Sequence, residues 1–172
     1  SDRLPEMLED GPFLSKDIDF LHNRRAERAL VNALDGKLLF PSPGAHTPNA
    51  AVFQGTINGQ PLLIDFMHDV LGVKSEAIRR RSVTLEGSGP DGQPISISLM
   101  HPLHCFQSRL ANINQLRRLD GMALRQARAS VQVFRAFLDD LLNRGEYRQV
   151  QSLLREYAYT LRDSYFGRPS HL

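Results

Sequence analysis

The chain has 172 residues, of which 41% are hydrophobic and 23% charged, with a formal net charge of +2; this suits one domain, or a small domain with an appendage. Its single cysteine, Cys105, excludes an internal disulfide and a cysteine-rich zinc module. No apolar run approaches the roughly 20 residues of a membrane span and no signal peptide opens the sequence, so we expect a cytoplasmic protein without membrane association.

The first part of the chain alternates between strands, turns and one helix. Asn23 is placed to cap the helix, and Gly36 is expected to end it. The Asn58-Gly59 pair is a strong signal for a tight turn between two strands. We predict, in chain order, a strand at 15–22, a helix at 23–34, a strand at 37–40 and a hairpin at 51–68.

The second part of the chain becomes entirely helical near residue 101. We therefore expect a mixed α/β domain at 1–100 and a helical region at 101–172. We predict a short helix at 74–80, a second hairpin at 81–100, and three helices whose apolar stripes are Leu103, Phe106, Leu110 and Ile113; Leu124, Ala127, Val131, Phe134, Leu138 and Leu141; and Val150, Leu154, Tyr157, Leu161 and Tyr165.

The first of these helices has a characteristic start. Pro102 fits its first turn, where the missing backbone N–H has no helical partner. We interpret His101 and His104 as polar residues at a helix start, and Cys105 as a small buried residue.

Three carboxylates stand out in the apolar strands. Asp17 and Asp19 are two residues apart, so their side chains face the same side of a strand and repel each other. Asp65 is the only charge in the apolar run 62–67. If the two strands are neighbours, the three carboxylates converge, and a divalent cation such as Mg²⁺ would remove the repulsion.

The segments "SKDIDFL" and "LLIDFM" resemble the nucleotidyltransferase superfamily, whose members have a polymerase-beta type fold. The closer similarity is to small bacterial nucleotidyltransferase-like proteins related to toxin and abortive-infection systems, whose helical tail often follows a segment like "HPLHCFQSRLANI". The resemblance covers most of residues 13–116. It implies an α+β fold, with a mixed β-sheet nucleotidyltransferase-like domain followed by a C-terminal helical bundle.

The resemblance also implies a reaction. Asp17 and Asp19 would bind Mg²⁺ and position a nucleoside triphosphate, and Asp65 would share a metal ion and accept the proton of an acceptor hydroxyl. That hydroxyl would attack the α-phosphorus and expel pyrophosphate. The acceptor would be RNA, a protein side chain or a small molecule, and the arginine-rich helices favour RNA.

Four further residues are candidate nucleotide contacts. Ser15 and Lys16 immediately precede the acidic pair, and Lys16 either contacts a phosphate or faces solvent. Ser108 and Arg109 lie on the first helix of the tail, near the region where members of the family would contact nucleotide or acceptor.

One departure from the family pattern leaves alternatives open. The family places a glycine pair roughly ten residues before the acidic pair to hold the triphosphate through backbone N–H groups. Here Gly11 is the only glycine before Asp17. Either the chain is incomplete at its N-terminus, which would leave a sheet edge able to pair with a second chain as a homodimer, or the protein is a catalytically silent binding module. A third interpretation is a scaffold whose acids cap strands.

Overall fold

A computed structural model describes residues 18–166, which form a mixed α+β fold. Contacts within the chain divide these residues into two units. The first, which we call the sheet unit, ends at Val70, and the second, the helical unit, begins at Leu71. This division lies well before the change in composition near residue 101, since the second hairpin belongs to the helical unit.

The sheet unit contains a four-stranded mixed sheet and one helix. In this unit β1 runs parallel to β4, whereas β4 with β3 and β3 with β2 are antiparallel, and the strand order is β1-β4-β3-β2. Both β1 and β2 are therefore edges of the sheet as far as residues 18–166 describe it. The elements are β1 (Ile18–Leu21), α1 (Arg24–Ala33), β2 (Gly36–Leu39), β3 (Asn49–Ile57) and β4 (Gln60–Met67).

One face of this sheet forms the core of the unit. Phe53 and Phe66 are almost completely buried there, and Leu30 of α1 and Leu34, which directly follows the helix, pack against the same cluster. These side chains lie on one face of their strands because alternate residues share a face. The helix thus covers one side of the sheet and leaves the other side to the alternate residues.

Local signals explain where α1 begins but not where it ends. The Asn23 side chain accepts hydrogen bonds from the backbone N–H groups of Arg25 and Ala26, as expected for an N-cap. The expectation that Gly36 ends the helix is wrong: the C-cap is Leu34, and Gly36 is the first residue of β2.

The helical unit contains a short helix, a two-stranded hairpin and three longer helices. Between residues 18 and 166, none of the helices has both the length and the hydropathy that crossing a bilayer requires. The elements are α2 (Ser75–Arg80), β5 (Ser82–Ser88), β6 (Pro94–Met100), α3 (Pro102–Leu116), α4 (Gly121–Asn143) and α5 (Tyr147–Arg162).

The core of the helical unit lies among α3, α4 and α5. The stripes predicted for α3 and α4 supply the buried Leu103, Phe106 and Phe134. On α5 the prediction is wrong at two positions: Leu153 is buried whereas Leu154 is 47% exposed, and Tyr165 follows the helix and is exposed. The other stripe residues within α5, Val150, Tyr157 and Leu161, do face the core, so the helix keeps the predicted orientation apart from these positions.

Candidate functional site

Two of the three predicted carboxylates lie side by side on adjacent strands. Asp19 of β1 and Asp65 of β4 are register partners across a parallel pair. Neighbouring strands lie about 4.8 Å apart, and register partners present their side chains on the same face. Both carboxylates therefore project from one side of the sheet, opposite the face that α1 covers. Asp17 lies outside the described residues.

The surroundings of this pair are largely apolar. Asp19 is exposed and Asp65 is half-buried. The next pair along the same face is Leu21 with Met67, and the partner of Asp65 on β3 is Val52. The pair therefore lies at a partly exposed position beside apolar side chains.

The donor chemistry of this pair fits Mg²⁺. Among residues 18–166, no group of three or more His, Cys, Asp or Glu side chains is arranged to hold a metal ion. Mg²⁺ nevertheless needs no complete protein cage, because it is commonly held by one or two carboxylates together with water and substrate phosphates. Asp19 and Asp65 would supply such a pair of oxygen ligands.

The remaining candidate contacts fall elsewhere in the chain. Ser15 and Lys16 lie outside the described residues. Ser108 and Arg109 belong to α3 in the helical unit, where Ser108 is buried and Arg109 is half-buried.

A second polar cluster, which the sequence did not indicate, lies at the carboxyl end of β1. His22 Nδ1 and Glu27 Oε1 are 2.5 Å apart, and Glu27 is only 5% exposed. The ring of His68, which follows β4, lies edge-on to that of His22 with 4.7 Å between centroids. The carboxylate joins α1 to the end of β1, since it lies on the helix and His22 follows the strand. One signal in the sequence could have revealed that Glu27 is buried: it lies three residues before Leu30 and seven before Leu34, and therefore on the same face of the helix.

The interpretation of His101 and His104 as simple polar residues at a helix start is incomplete. Both are buried, and His101 Nδ1 accepts a hydrogen bond from the backbone N–H of Leu103 at 3.1 Å. Burial, together with the charge of Arg81, lowers the pKa of His101 from 6.5 to about 4 and also lowers the pKa of His104. Cys105, expected to be buried, is half-buried.

Comparison with known proteins adds no support for the candidate carboxylate site. No family model, curated protein or solved structure matches the chain.

Proposed function

We propose that the protein is a Mg²⁺-dependent nucleotidyltransferase of the polymerase-beta type, which moves a nucleoside monophosphate from a nucleoside triphosphate to an acceptor hydroxyl. The observation that carries this proposal is the register pairing of Asp19 with Asp65 on parallel strands. Two carboxylates on one face of paired strands repel each other, and a cation between them would relieve that repulsion. Their position therefore favours a metal site over acids that merely end strands.

The two residues have separate roles in the proposed reaction. Bound Mg²⁺ would neutralise the triphosphate charge and favour departure of pyrophosphate. Asp19, the more exposed carboxylate, would hold Mg²⁺ and position the triphosphate. Asp65 accepts the proton of the acceptor hydroxyl, whose oxygen forms a bond to the α-phosphorus as the bond to pyrophosphate breaks. Its apolar neighbours Met67 and Val52 limit the water that competes for this proton.

The arginines of the described helices indicate which class of acceptor is favoured. The described helices carry many arginines, whose planar guanidinium groups bind phosphate with two parallel hydrogen bonds. On α4 the residues Arg125, Arg128 and Arg135 are spaced so that they share one face. This arrangement favours RNA over a protein side chain or a small molecule as the acceptor.

A second candidate is a catalytically silent module that binds nucleotide with Mg²⁺. The specific observation in its favour is the composition of residues 1–16, which contain Gly11 and no other glycine. A triphosphate held without a glycine-rich loop makes fewer backbone contacts, so binding would persist while positioning for attack is lost.

Radiolabel transfer distinguishes these functions. The chain is incubated with Mg²⁺, cell extract and each of four α-labelled nucleoside triphosphates in turn, and transfer onto macromolecules is measured. We expect transfer from at least one triphosphate, and a loss of about a hundredfold or more in Asp65→Asn, because the substitution removes a negative charge at the reacting centre.

The matched control is Asp35→Asn, which makes the same chemical change at an exposed position between α1 and β2. Transfer in this variant should equal that of the wild type. Calorimetric titration with Mg²⁺ and triphosphate supplies the second readout. Heat that disappears in Asp65→Asn, without any label transfer, favours the silent module. No heat in the wild type excludes both functions.

A further inference from the structure

The start of α3 depends on a buried imidazole. His101 precedes the helix, and its Nδ1 accepts the backbone N–H of Leu103 at 3.1 Å. The ring's one proton must therefore lie on Nε2 when the imidazole is neutral. His101 is 2% exposed and His104, three residues later, is 4% exposed, with 5.6 Å between the ring centroids. The first turn of the helix is thus capped by a group that can cap only when it is uncharged.

Among the described residues, the surroundings of this pair disfavour a positive charge: burial and Arg81 lower the pKa of both rings, and the charge of Glu156, which raises the pKa of His104, does not outweigh them. His101 Nε2 and His104 Nδ1 are buried and make no hydrogen bond. The charged groups that act on the pair are Arg81, which precedes β5, and Glu156 of α5.

Those two charged groups are already paired with each other. Arg81 Nη1 donates to Glu156 Oε2 at 2.7 Å, so the carboxylate is engaged and the guanidinium repels a second cation. From α4, the neighbour of His101 is the apolar ring of Phe137, at 5.0 Å between centroids. A protonated imidazole in this position would be an unpaired buried charge at the positive end of a helix.

We propose that His101 and His104 form an acid-sensitive latch: when neutral they hold the first turn of α3 inside the helical unit, and protonation of either ring releases it. Protonation of His101 removes the acceptor for the N–H of Leu103. A charged imidazole then has a lower free energy in water than in the buried site, so the rings move out to solvent. The latch is independent of the proposed transferase reaction, since it involves no residue of the carboxylate pair.

The direction of the pH effect follows from linkage. Both pKa values are lower in the folded chain than the ordinary 6.5, to about 4 for His101. Between the lowered pKa and 6.5, the open state, in which the first turn of α3 is released, binds protons that the closed, packed state does not. The closed state is fully favoured above pH 6.5 and is progressively lost as the pH falls from there towards 4.

Hydrogen exchange of the full chain between pH 7.5 and 5 tests the latch, after correction for the intrinsic pH dependence of exchange. Below pH 6.5 we expect the opening constant for the first turns of α3 to rise by up to about tenfold per pH unit for each histidine. His101→Asn is the informative variant, because Asn is a good N-cap whose side-chain oxygen accepts the same N–H but cannot be protonated. In this variant the opening constant should rise less steeply with falling pH, by up to about tenfold less per pH unit than in the wild type.

The control is His46→Asn, at an exposed position in the loop between β2 and β3; it should keep the wild-type slope. Equal slopes in the wild type and His101→Asn overturn the proposal. A second measurement holds even if His101→Asn fails to fold: nuclear magnetic resonance titration of the wild-type imidazoles. Values well below 6.5 for His101 and His104 support the latch, whereas ordinary values in the folded chain overturn it.

Discussion

Glu27 is the one carboxylate residue that is buried among residues 18–166. It lies on the face of α1 that also carries Leu30 and Leu34, which pack against the sheet. A carboxylate on such a face is stable only when it is hydrogen-bonded, and the Nδ1 of His22 supplies the partner. The contact therefore connects the helix to the strand that carries Asp19.

The substitution Glu27→Ala should destabilise the sheet unit. We expect a loss of about 1–3 kcal/mol in the free energy of unfolding, since a charge-assisted hydrogen bond is lost but the partly exposed His22 can turn to water. Glu27→Gln should cost less, because its amide oxygen still accepts. Urea unfolding followed by circular dichroism measures both. The control is Glu76→Ala on α2, whose contact with Arg80 is exposed and 3.4 Å long; a loss equal to that of Glu27→Ala would contradict the role given to burial.

Residue by residue, the sequence predicts what depends on strand alternation and fails where burial is set by distant packing. Alternation predicts the strand face on which Asp19 and Asp65 each lie, and the register of β1 with β4 places the two side by side. Nothing near Glu27 in the chain specifies that it is buried, since this follows from how α1 lies on the sheet. The same holds for His101, whose position beside a helix-starting proline is usually exposed. Phe137 of α4, which follows it in the chain, packs against its ring.

Among the elements, the β3–β4 hairpin determines where Asp65 lies. The turn residues Asn58 and Gly59 both have positive φ, 51° and 75°, as a two-residue hairpin turn of this type requires. The turn sets the register of β4 against β3, and a slip by one residue would move Asp65 to the face covered by α1. The pairing of Asp65 with Asp19 thus depends on two residues at the far end of the strand.

Substitution of Gly59 tests the conformational part of this dependence. A Cβ at Gly59 would meet no atom within 4 Å, so any cost comes from the positive φ and not from a clash. We expect Gly59→Val to lower the free energy of unfolding by about 1–2 kcal/mol or more, because a β-branched residue is strained there. Gly59→Asn should cost less than about 1 kcal/mol, since Asn tolerates this conformation. Thermal unfolding compares them, and equal losses would show that φ is not the cause.

Two elements show where apolar periodicity and helix-ending residues give a wrong prediction. Gly36 resembles a helix C-cap in sequence, but it lies in β2 opposite Gly55, and a Cβ there would lie 2.3 Å from the ring of Phe53. The glycine is needed for close packing between strands, which no local pattern encodes. On α5, the adjacent Leu153 and Leu154 fit an apolar stripe equally well, and only the positions of α3 and α4 decide which one is buried.

At the scale of the whole molecule, the sequence predicts the mixed α+β class and the order of the elements. It does so because turns, caps and periodicity are local. It does not predict that contacts divide the chain at Val70 and Leu71, since the composition changes only near residue 101. Composition follows the type of secondary structure, whereas a compact unit is defined by which elements touch. The β5–β6 hairpin differs from the helices in composition and yet belongs to their unit.

Because the two units have separate cores, we expect a cavity in one core to destabilise that unit and not the other. Leu153 is 1% exposed in the helical core, which shares no residue with the core of the sheet unit. We expect Leu153→Ala to cost about 2–5 kcal/mol and to speed hydrogen exchange in α3, α4 and α5. Amides of β3 and β4 should keep their wild-type protection.

The neighbouring Leu154→Ala is a matched control for this substitution, since it removes the same atoms from the same helix at a side chain that is 47% exposed. Its exchange should resemble that of the wild type throughout, because no cavity forms at an exposed position. If Leu153→Ala instead speeds exchange by the same factor in β3 and β4 as in α3, the two units open together. The division by contacts would then have no counterpart in stability, and a cavity in either core would affect the strands that hold Asp19 and Asp65.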